Sequence, residues 1–167
     1  MSIKSTVHYD ESKDRVEGFE NFGQEINSVV ANQATVFMVK GITAKWKQSS
    51  GYFFTSGAIK GDKLKTLIIE AIQHISNQGL TCLAVICDQG FNNSKALRQL
   101  GVTVDQPFFH VDSVQVHVLY DPPHILKNTR NNLFKYGYKL DNVEISWDII
   151  RETYEIDQKH HLSLCPK

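Results

Sequence analysis

The chain has 167 residues, with 18 basic and 18 acidic side chains, so its formal net charge at pH 7 is zero. Hydrophobic residues make up 41% of the sequence and charged residues 22%, which is typical of one soluble globular domain and excludes disordered and fibrous classes. A neutral chain has no long-range field for nucleic acid, so such a partner would have to be held by a local basic patch. Three cysteines without a CxxC pair, no apolar run of membrane-spanning length and no signal-peptide core predict an intracellular soluble protein.

The first part of the chain predicts a three-stranded antiparallel meander. Residues 3–9 are rich in β-formers and run into a polar turn at 10–14, and a second β-rich segment covers 16–22. Two short strands around a polar turn indicate a hairpin. The third strand is predicted over 34–39 and ends before Gly41.

An aromatic segment follows the meander and contains Trp46, Tyr52, Phe53 and Phe54. Such side chains either stack on nucleic-acid bases or serve as anchors that pack across a sheet. We expect packing across the sheet.

The clearest helix begins near Asp62, which we predict as its N-cap, and Gly79 stands where a C′ residue belongs. One face carries apolar residues at helical spacing: Leu64, Leu67, Ile68, Ala71, Ile72 and Ile75. The helix leads into a strand at 82–88, and such a crossover predicts parallel pairing.

That strand stands out because its apolar run, residues 82–87, is unbroken and ends on Asp88. Continuous hydrophobicity predicts a strand buried on both faces. A carboxylate at the carboxyl end of such a strand lies where open α/β sheets place their ligands. The alternative is that Asp88 only caps the next helix or opens a turn.

The remaining elements are a helix at 93–100, a strand at 116–120 and a helix that begins with Asp121, Pro122 and Pro123. This last helix has a predicted buried stripe of Ile125, Leu126, Thr129 and Leu133. A further amphipathic helix is predicted over 147–154. The order β-β-β-α-β-α-β-α is that of the RNase H-like fold, an α/β class with a mixed central sheet flanked by helices.

The chemistry of that fold is two-metal phosphoryl transfer, which needs carboxylates at adjacent strand ends to hold Mg²⁺ or Mn²⁺. Asp88 is the acid that ends the fourth strand. The first strand carries no acid within it, and Asp10 and Glu11 lie in its terminal turn, at the wrong end to face Asp88.

Other candidate residues have simpler alternatives. Asp121 also ends a strand, but Pro122 behind it favours helix capping, and His124 would pack or cap. Lys127 and Arg130 lie together on one helix face, where they either contact DNA phosphates or form a solvated face.

A zinc site is not expected near the C-terminus. His160, His161 and Cys165 have metal-ligand side chains but lack a second half and a known ligand spacing.

Several segments resemble the RNase H-like domain of P-element-type transposases, a group that includes transposase-derived proteins with a THAP zinc-finger domain. The specific ones are Cys-Asp-Gln-Gly at 87–90 and Asp-Pro-Pro-His at 121–124. Weaker matches, in the same order as in the family, are residues 1–4, 9–10, 18–19, 37–41 and 46–48.

The resemblance implies a nuclear cut-and-paste DNA transposase with a catalytic acidic triad, Mg²⁺ or Mn²⁺, and DNA as partner. The second catalytic Asp of the family stands in the Cys-Asp-Gln-Gly segment, so that role and metal binding carry over to Asp88. The first catalytic Asp directly precedes Met-Ser-Ile-Lys in the family, and the last lies beyond a GTP-binding insertion that follows the Asp-Pro-Pro-His helix.

We therefore expect residues 1–138 to be a transposase core that lacks the start of its first strand, and residues 139–167 to begin the GTP-binding insertion. With one of three catalytic acids, the chain is expected to have no transposition activity by itself. The competing hypothesis is a domesticated, non-catalytic module that binds DNA, an intact transposase or a second copy of itself.

Overall fold

The computed structural model describes residues 1–23 and 25–159, which form two compact units, residues 1–119 and the chain from Tyr120 onward. The helices are α1 (Gly61–Asn77), α2 (Phe91–Gln99), α3 (Pro122–Tyr136) and α4 (Trp147–Asp157). The strands are β1 (His8–Asp10), β2 (Arg15–Glu17), β3 (Phe19–Asn21), β4 (Ile26–Val30), β5 (Gln33–Lys40), β6 (Lys47–Thr55), β7 (Ala84–Cys87), β8 (Phe108–Val111), β9 (Val114–Tyr120), β10 (Tyr138–Leu140) and β11 (Val143–Ile145). None of the described helices is long and apolar enough to cross a membrane.

The strands form two sheets and two ribbons. One sheet has the order β4-β3-β6-β5, with antiparallel pairs throughout, and the other has the order β7-β9-β8. The ribbons are β1-β2 in the first unit and β10-β11 in the second. The α/β class predicted from the sequence is confirmed.

The core of the first unit lies where α1 contacts α2, β6 and β8. β9 supplies one side of this core, because its side chains alternate between the two faces of the sheet. Val116 and Val118 are buried, whereas His117 and Leu119 are exposed. The other buried apolar side chains of this core are Leu64, Leu67, Ile68 and Ile72 of α1, Ala96 and Leu97 of α2, and Phe109 and Val111 of β8. The predicted apolar face of α1 is thus confirmed.

The predicted meander differs from the observed strands in its first half. The strand expected over 3–9 is limited to β1, and the one expected over 16–22 is divided into β2 and β3 at Gly18. Gly18 has φ of 115°, and a Cβ built on it would lie 2.1 Å from the carbonyl oxygen of Thr6. The left-handed conformation breaks the strand and lets the chain at Thr6 approach closely.

The prediction of a doubly buried strand with a parallel partner across α1 was wrong. β7 is an edge strand of the three-stranded sheet, Ile86 is 63% exposed, and β6 belongs to the other sheet. Its neighbour is β9, whose His117 N–H donates to the Leu83 carbonyl. Hydrophobicity alone did not reveal that one face of this strand is uncovered.

Aromatic packing across the four-stranded sheet is confirmed for Phe53. Its ring lies 5.9 Å from that of Phe37 and 6.4 Å from that of Phe22. Tyr52 faces the other side, packs against Phe54 at 5.5 Å and remains 65% exposed.

Candidate functional site

Asp88 directly follows β7 and is held in a turn by its own carboxylate. Oδ1 accepts a hydrogen bond from the backbone N–H of Gly90 at 2.8 Å and another from the side-chain amide of Asn93 at 2.7 Å. This is an Asx-turn, so Asp88 opens a turn as expected, and the turn leaves the question of a functional role untouched. The N-cap of α2 is Gly90, without a side-chain cap, so the helix-cap alternative was wrong.

The geometry leaves half of this carboxylate free to bind a ligand. Asp88 is exposed, and within residues 1–23 and 25–159 no hydrogen bond reaches its Oδ2. A Cβ at Gly90 would lie 2.8 Å from Oδ1, so the close turn depends on the missing side chain there. The sequence analysis did not identify Asn93, although its place in the first turn of α2 sets it beside the Asx-turn.

The described cysteines are Cys87, beside Asp88, and Cys82, ahead of β7, and both thiols stay protonated at neutral pH. Burial raises the pKa of Cys87 to about 11, and the neighbouring Asp88 charge adds to the effect. Burial also raises the pKa of the Cys82 thiol. Since the thiolate is the ligand and nucleophile, the chemistry at this strand end belongs to the carboxylate.

Carboxylate oxygens are the ligands that Mg²⁺ and Mn²⁺ prefer, but Asp88 has too few further ligands beside it to enclose an ion. Within the described residues no group of three or more His, Cys, Asp or Glu side chains is placed to hold a metal. A protein Mg²⁺ site usually draws on one or two carboxylates plus substrate phosphates. The residues described here fit one part of such a site.

Asp10 is held in the β1-β2 ribbon, away from any ligand role. Its carboxylate accepts from Ser12 and pairs with Lys13 at 2.9 Å, and these contacts hold its pKa well below the usual range. The prediction that Asp10 serves a turn agrees with this geometry. Glu11, beside it, is exposed.

In the second unit, Asp121 occupies the N-cap position of α3 with Pro122 as the first helical residue. Its carboxylate makes no cap hydrogen bond to the backbone and instead contacts Nδ1 of His124. The helix start was predicted correctly, but capping by the side chain was wrong because His124, one turn along, takes the carboxylate.

Lys127 and Arg130 are both exposed on α3, and the guanidinium of Arg130 donates to Oδ1 of Asn131 at 3.0 and 3.2 Å. The predicted buried stripe of this helix was wrong, since α3 has no buried residue and Leu126 is 70% exposed. His160, His161 and Cys165 lie outside the described residues.

α1 begins two residues earlier than predicted, and the predicted capping by Asp62 was wrong. Its N-cap is Lys60, not Asp62, and Asp62 instead joins α1 to α2. Its carboxylate pairs with Nζ of Lys95 at 2.7 Å and accepts from Gln99 at 2.5 Å. These contacts lower the pKa of Asp62.

Comparison with known proteins places this geometry in a family. Residues 1–101 match the family described as TNP-like, RNase H N-terminal domain. The human DNA transposase THAP9 is 28% identical over 142 residues, which are 78% of this chain and 16% of that protein. The Drosophila melanogaster transposable element P transposase is 23% identical over 167 residues, 98% of this chain and 20% of that protein.

A solved structure agrees in fold. The Drosophila P element transposase strand transfer complex contains a chain that superposes with a TM-score of 0.78 at 22% identity, covering 98% of this chain and 34% of that one. The predicted RNase H-like fold is confirmed by this likeness. The present chain spans about a fifth or less of the length of the curated relatives it matches.

Proposed function

The chain belongs to the family of TNP-like RNase H N-terminal domains, and from that premise we propose that it is the catalytic-core portion of a P-element-type transposase. Its role in the whole protein is metal-dependent cut-and-paste DNA transposition. Asp88 supplies one of the metal-binding carboxylates. The observation that carries this proposal is the exposed Asp88 carboxylate at the end of β7, held through Oδ1 with Oδ2 available to a cation.

The proposed role of the cation follows from the donor set. Mg²⁺ or Mn²⁺ bound to carboxylates activates an attacking oxygen and stabilises the leaving oxygen of a phosphodiester. Asp88 would hold one such ion, while Gly90 and Asn93 fix the direction of the carboxylate. Residues that orient a ligating carboxylate in this way commonly tune metal affinity.

We also propose that these 167 residues are inactive in DNA cleavage by themselves. One exposed carboxylate binds Mg²⁺ weakly, because such sites need further carboxylates or a bound phosphate. The family chemistry uses three acids, and Asp88 is the one that this chain supplies through its Cys-Asp-Gln-Gly segment.

The metal proposal can be tested by paramagnetic broadening of amide signals during a Mn²⁺ titration. Weak binding at Asp88 should broaden the amides of 88–93 first, and Asp88→Asn should remove this broadening. The matched control is Asp105→Asn, an exposed acid in another loop, which should leave it unchanged. Equal broadening in wild type and Asp88→Asn would contradict the role of Asp88.

The inactivity proposal needs a separate assay. Incubation of the purified chain with supercoiled DNA and Mg²⁺ or Mn²⁺ should give no nicked product above the Asp88→Ala background. Robust nicking that Asp88→Ala abolishes would show that the chain completes a site by itself.

In the whole transposase, the partner is DNA, the compartment is the nucleus, and Lys127 and Arg130 contact phosphates. Both side chains are exposed on the same helix. Each lost phosphate contact should lower the salt dependence of DNA binding by about one unit of slope. Lys127→Gln and Arg130→Gln should therefore flatten a plot of log affinity against log salt, with Lys139→Gln as the control.

Residues 139–167 are proposed to begin a GTP-binding part of the longer protein. The described part of this stretch contains α4 and most of the β10-β11 ribbon. The test is whether a GTP analogue crosslinks to the whole transposase and not to the isolated chain.

The second candidate function is a non-catalytic binding module. The observation that favours it is a set of exposed apolar side chains on one face of the four-stranded sheet: Val36, Met38 and Tyr52. Exposed apolar clusters of this kind commonly mark contact surfaces. Sedimentation of the chain with and without intact transposase would separate this function from catalysis, because a complex should form equally with Asp88→Asn.

A further inference from the structure

The hairpin that joins β5 to β6 carries a local excess of positive charge. No aspartate or glutamate occurs between Glu25 and Asp62, and the hairpin contains three lysines: Lys40, Lys45 and Lys47. The whole chain has a formal net charge of zero, so this segment differs from the average of the molecule. A local basic patch is what a neutral chain needs to hold a polyanion.

Two of these lysines lie directly opposite each other where the strands meet the loop. Lys40 on β5 pairs with Lys47 on β6. The backbone N–H of Gly41 donates to the carbonyl of Trp46 at 3.1 Å, so the neighbouring Lys40–Lys47 pair is a non-hydrogen-bonded one. The Cα atoms of such pairs are only about 4.5 Å apart, and like charges placed there repel each other. An anion bound between the two ammonium groups removes this repulsion.

The protein does not neutralise the three lysines. All of them are exposed, and within residues 1–23 and 25–159 none forms an ion pair. The described lysines that do pair with carboxylates are Lys13, Lys63 and Lys95. The hairpin charges are therefore available to a ligand.

The loop of the hairpin presents hydrogen-bond donors beside these charges. The indole of Trp46 is packed on Gly41, where a Cβ would lie 2.4 Å from Nε1, and the side chain is 39% exposed. The indole N–H can only donate, and it makes no hydrogen bond to a described residue. The backbone N–H groups of residues 42–45 likewise reach no described backbone carbonyl. Free donors and uncompensated positive charge at one place suit the oxygens of a phosphate.

We propose that the hairpin tip, residues 40–47, binds the phosphate backbone of DNA. This inference rests on the proposed function, from which DNA is taken as the partner. It adds a contact surface in the first unit to the one proposed for Lys127 and Arg130 in the second. Lysine contacts to phosphates supply affinity and position the nucleic acid without reading its sequence.

Fluorescence anisotropy with a labelled 20-base-pair duplex of arbitrary sequence tests the proposal over a series of salt concentrations. Lys40→Gln/Lys47→Gln should weaken binding at 50 mM salt by about tenfold or more and flatten the plot of log affinity against log salt by about two units. Lys40→Arg/Lys47→Arg should retain binding, because it keeps both charges. The matched control is Lys4→Gln/Lys60→Gln, which removes the same charge from exposed lysines outside the hairpin and should leave affinity nearly unchanged.

Two further readouts locate the contact and exclude unfolding. Addition of the duplex should shift the amide signals of residues 40–47 in the wild type and not in Lys40→Gln/Lys47→Gln. The urea midpoint of this variant should be equal to that of the wild type or higher, because a like-charge repulsion has been removed. A loss of DNA binding without a loss of stability assigns the two lysines to binding.

Three outcomes would overturn the proposal. The first is equal affinity and salt dependence in Lys40→Gln/Lys47→Gln and in the control variant. The second is that the amide signals of residues 40–47 stay in place while the wild type binds the duplex. Under either outcome, DNA binding that depends on Lys127 and Arg130 would leave the proposed function standing. The third, no binding by the wild type at 50 mM salt, would also remove DNA as a partner of this chain.

Discussion

The side-chain amide of Asn93 donates to the same oxygen of Asp88 that receives the backbone N–H of Gly90. The carboxylate is thereby fixed at the end of β7 by one oxygen, and no described residue donates a hydrogen bond to the other. This arrangement separates two functions of a single side chain, because the turn uses Oδ1 and a cation would use Oδ2. An amide at position 88 preserves the first function and weakens the second.

We therefore predict that Asp88→Asn and Asp88→Ala differ in stability. Asparagine keeps an oxygen that accepts from Gly90 and Asn93, so its free energy of unfolding should stay within about 0.5 kcal/mol of the wild type. Alanine loses both hydrogen bonds at an exposed site, which should cost about 1 kcal/mol. Urea denaturation measures the difference. An equal loss in both variants would mean that the charge of Asp88, not its hydrogen bonding, supports the turn.

The reactivity of Cys87 should report the charge of its neighbour. Burial raises the pKa of this thiol to about 11, and the Asp88 charge contributes to the rise, so alkylation by iodoacetamide at pH 8 should be slow. Asp88→Asn removes that charge and should accelerate alkylation of Cys87 severalfold. Peptide-resolved mass spectrometry gives both rates, with Cys82 as the internal control. Equal acceleration at both cysteines would point to local unfolding instead.

The sequence predicted those structural features that depend only on neighbouring residues in the chain. α1 and its buried face, the glycine after it, and the start of α3 follow from spacing and end residues, and all were found. The turn at Asp88 was foreseen as one alternative, since aspartate before Gln89-Gly90 is a local turn signal.

The features that sequence reasoning missed depend on what covers each element. The apolar run of β7 resembles a central strand, yet β7 lies at a sheet edge with Ile86 exposed. The stripe on α3 has the right period but no buried residue. Periodicity identifies the apolar face of an element, and only the tertiary arrangement decides whether that face is covered.

The contact between α1 and α2 through Asp62 predicts a specific loss of stability in acid. Lys95 and Gln99 lower the pKa of Asp62 below its ordinary value of 3.8. A depressed pKa in the folded state means that the stabilisation is fully present above the unfolded-state pKa and is lost as the pH falls through the folded-state value. The loss should therefore begin below about pH 5 and continue below 3.8.

Asp62→Asn should show a smaller drop in its urea midpoint than the wild type between pH 6 and pH 3. Lys95→Gln should reduce the drop partly, because Gln99 still binds the carboxylate. The Asp62 side chain is 64% exposed, so we expect a small effect that salt weakens. Identical acid profiles for the wild type and Asp62→Asn would contradict this origin of acid sensitivity.

Gly18 lies at the break between β2 and β3. Its φ of 115° is strained for any other residue, and a Cβ there would lie 2.1 Å from the carbonyl oxygen of Thr6. Backbone must move to relieve that contact, so Gly18→Ala should lower the free energy of unfolding by more than about 2 kcal/mol. The matched control is Gly101→Ala. Gly101 also has a left-handed φ, 87°, but a Cβ there would meet no described atom within 4 Å.

Gly101→Ala should lower the free energy of unfolding only by the conformational strain, about 1 kcal/mol. Urea denaturation of the two variants and the wild type separates the energetic effect of the close approach to Thr6 from that of the backbone strain. If both variants lose the same free energy of unfolding, the chain at Thr6 moves away from Gly18 without destabilising the fold. The packing of the N-terminal segment over Gly18 would then contribute nothing to stability. A larger loss at Gly18 would establish that this contact holds the N-terminal segment in place.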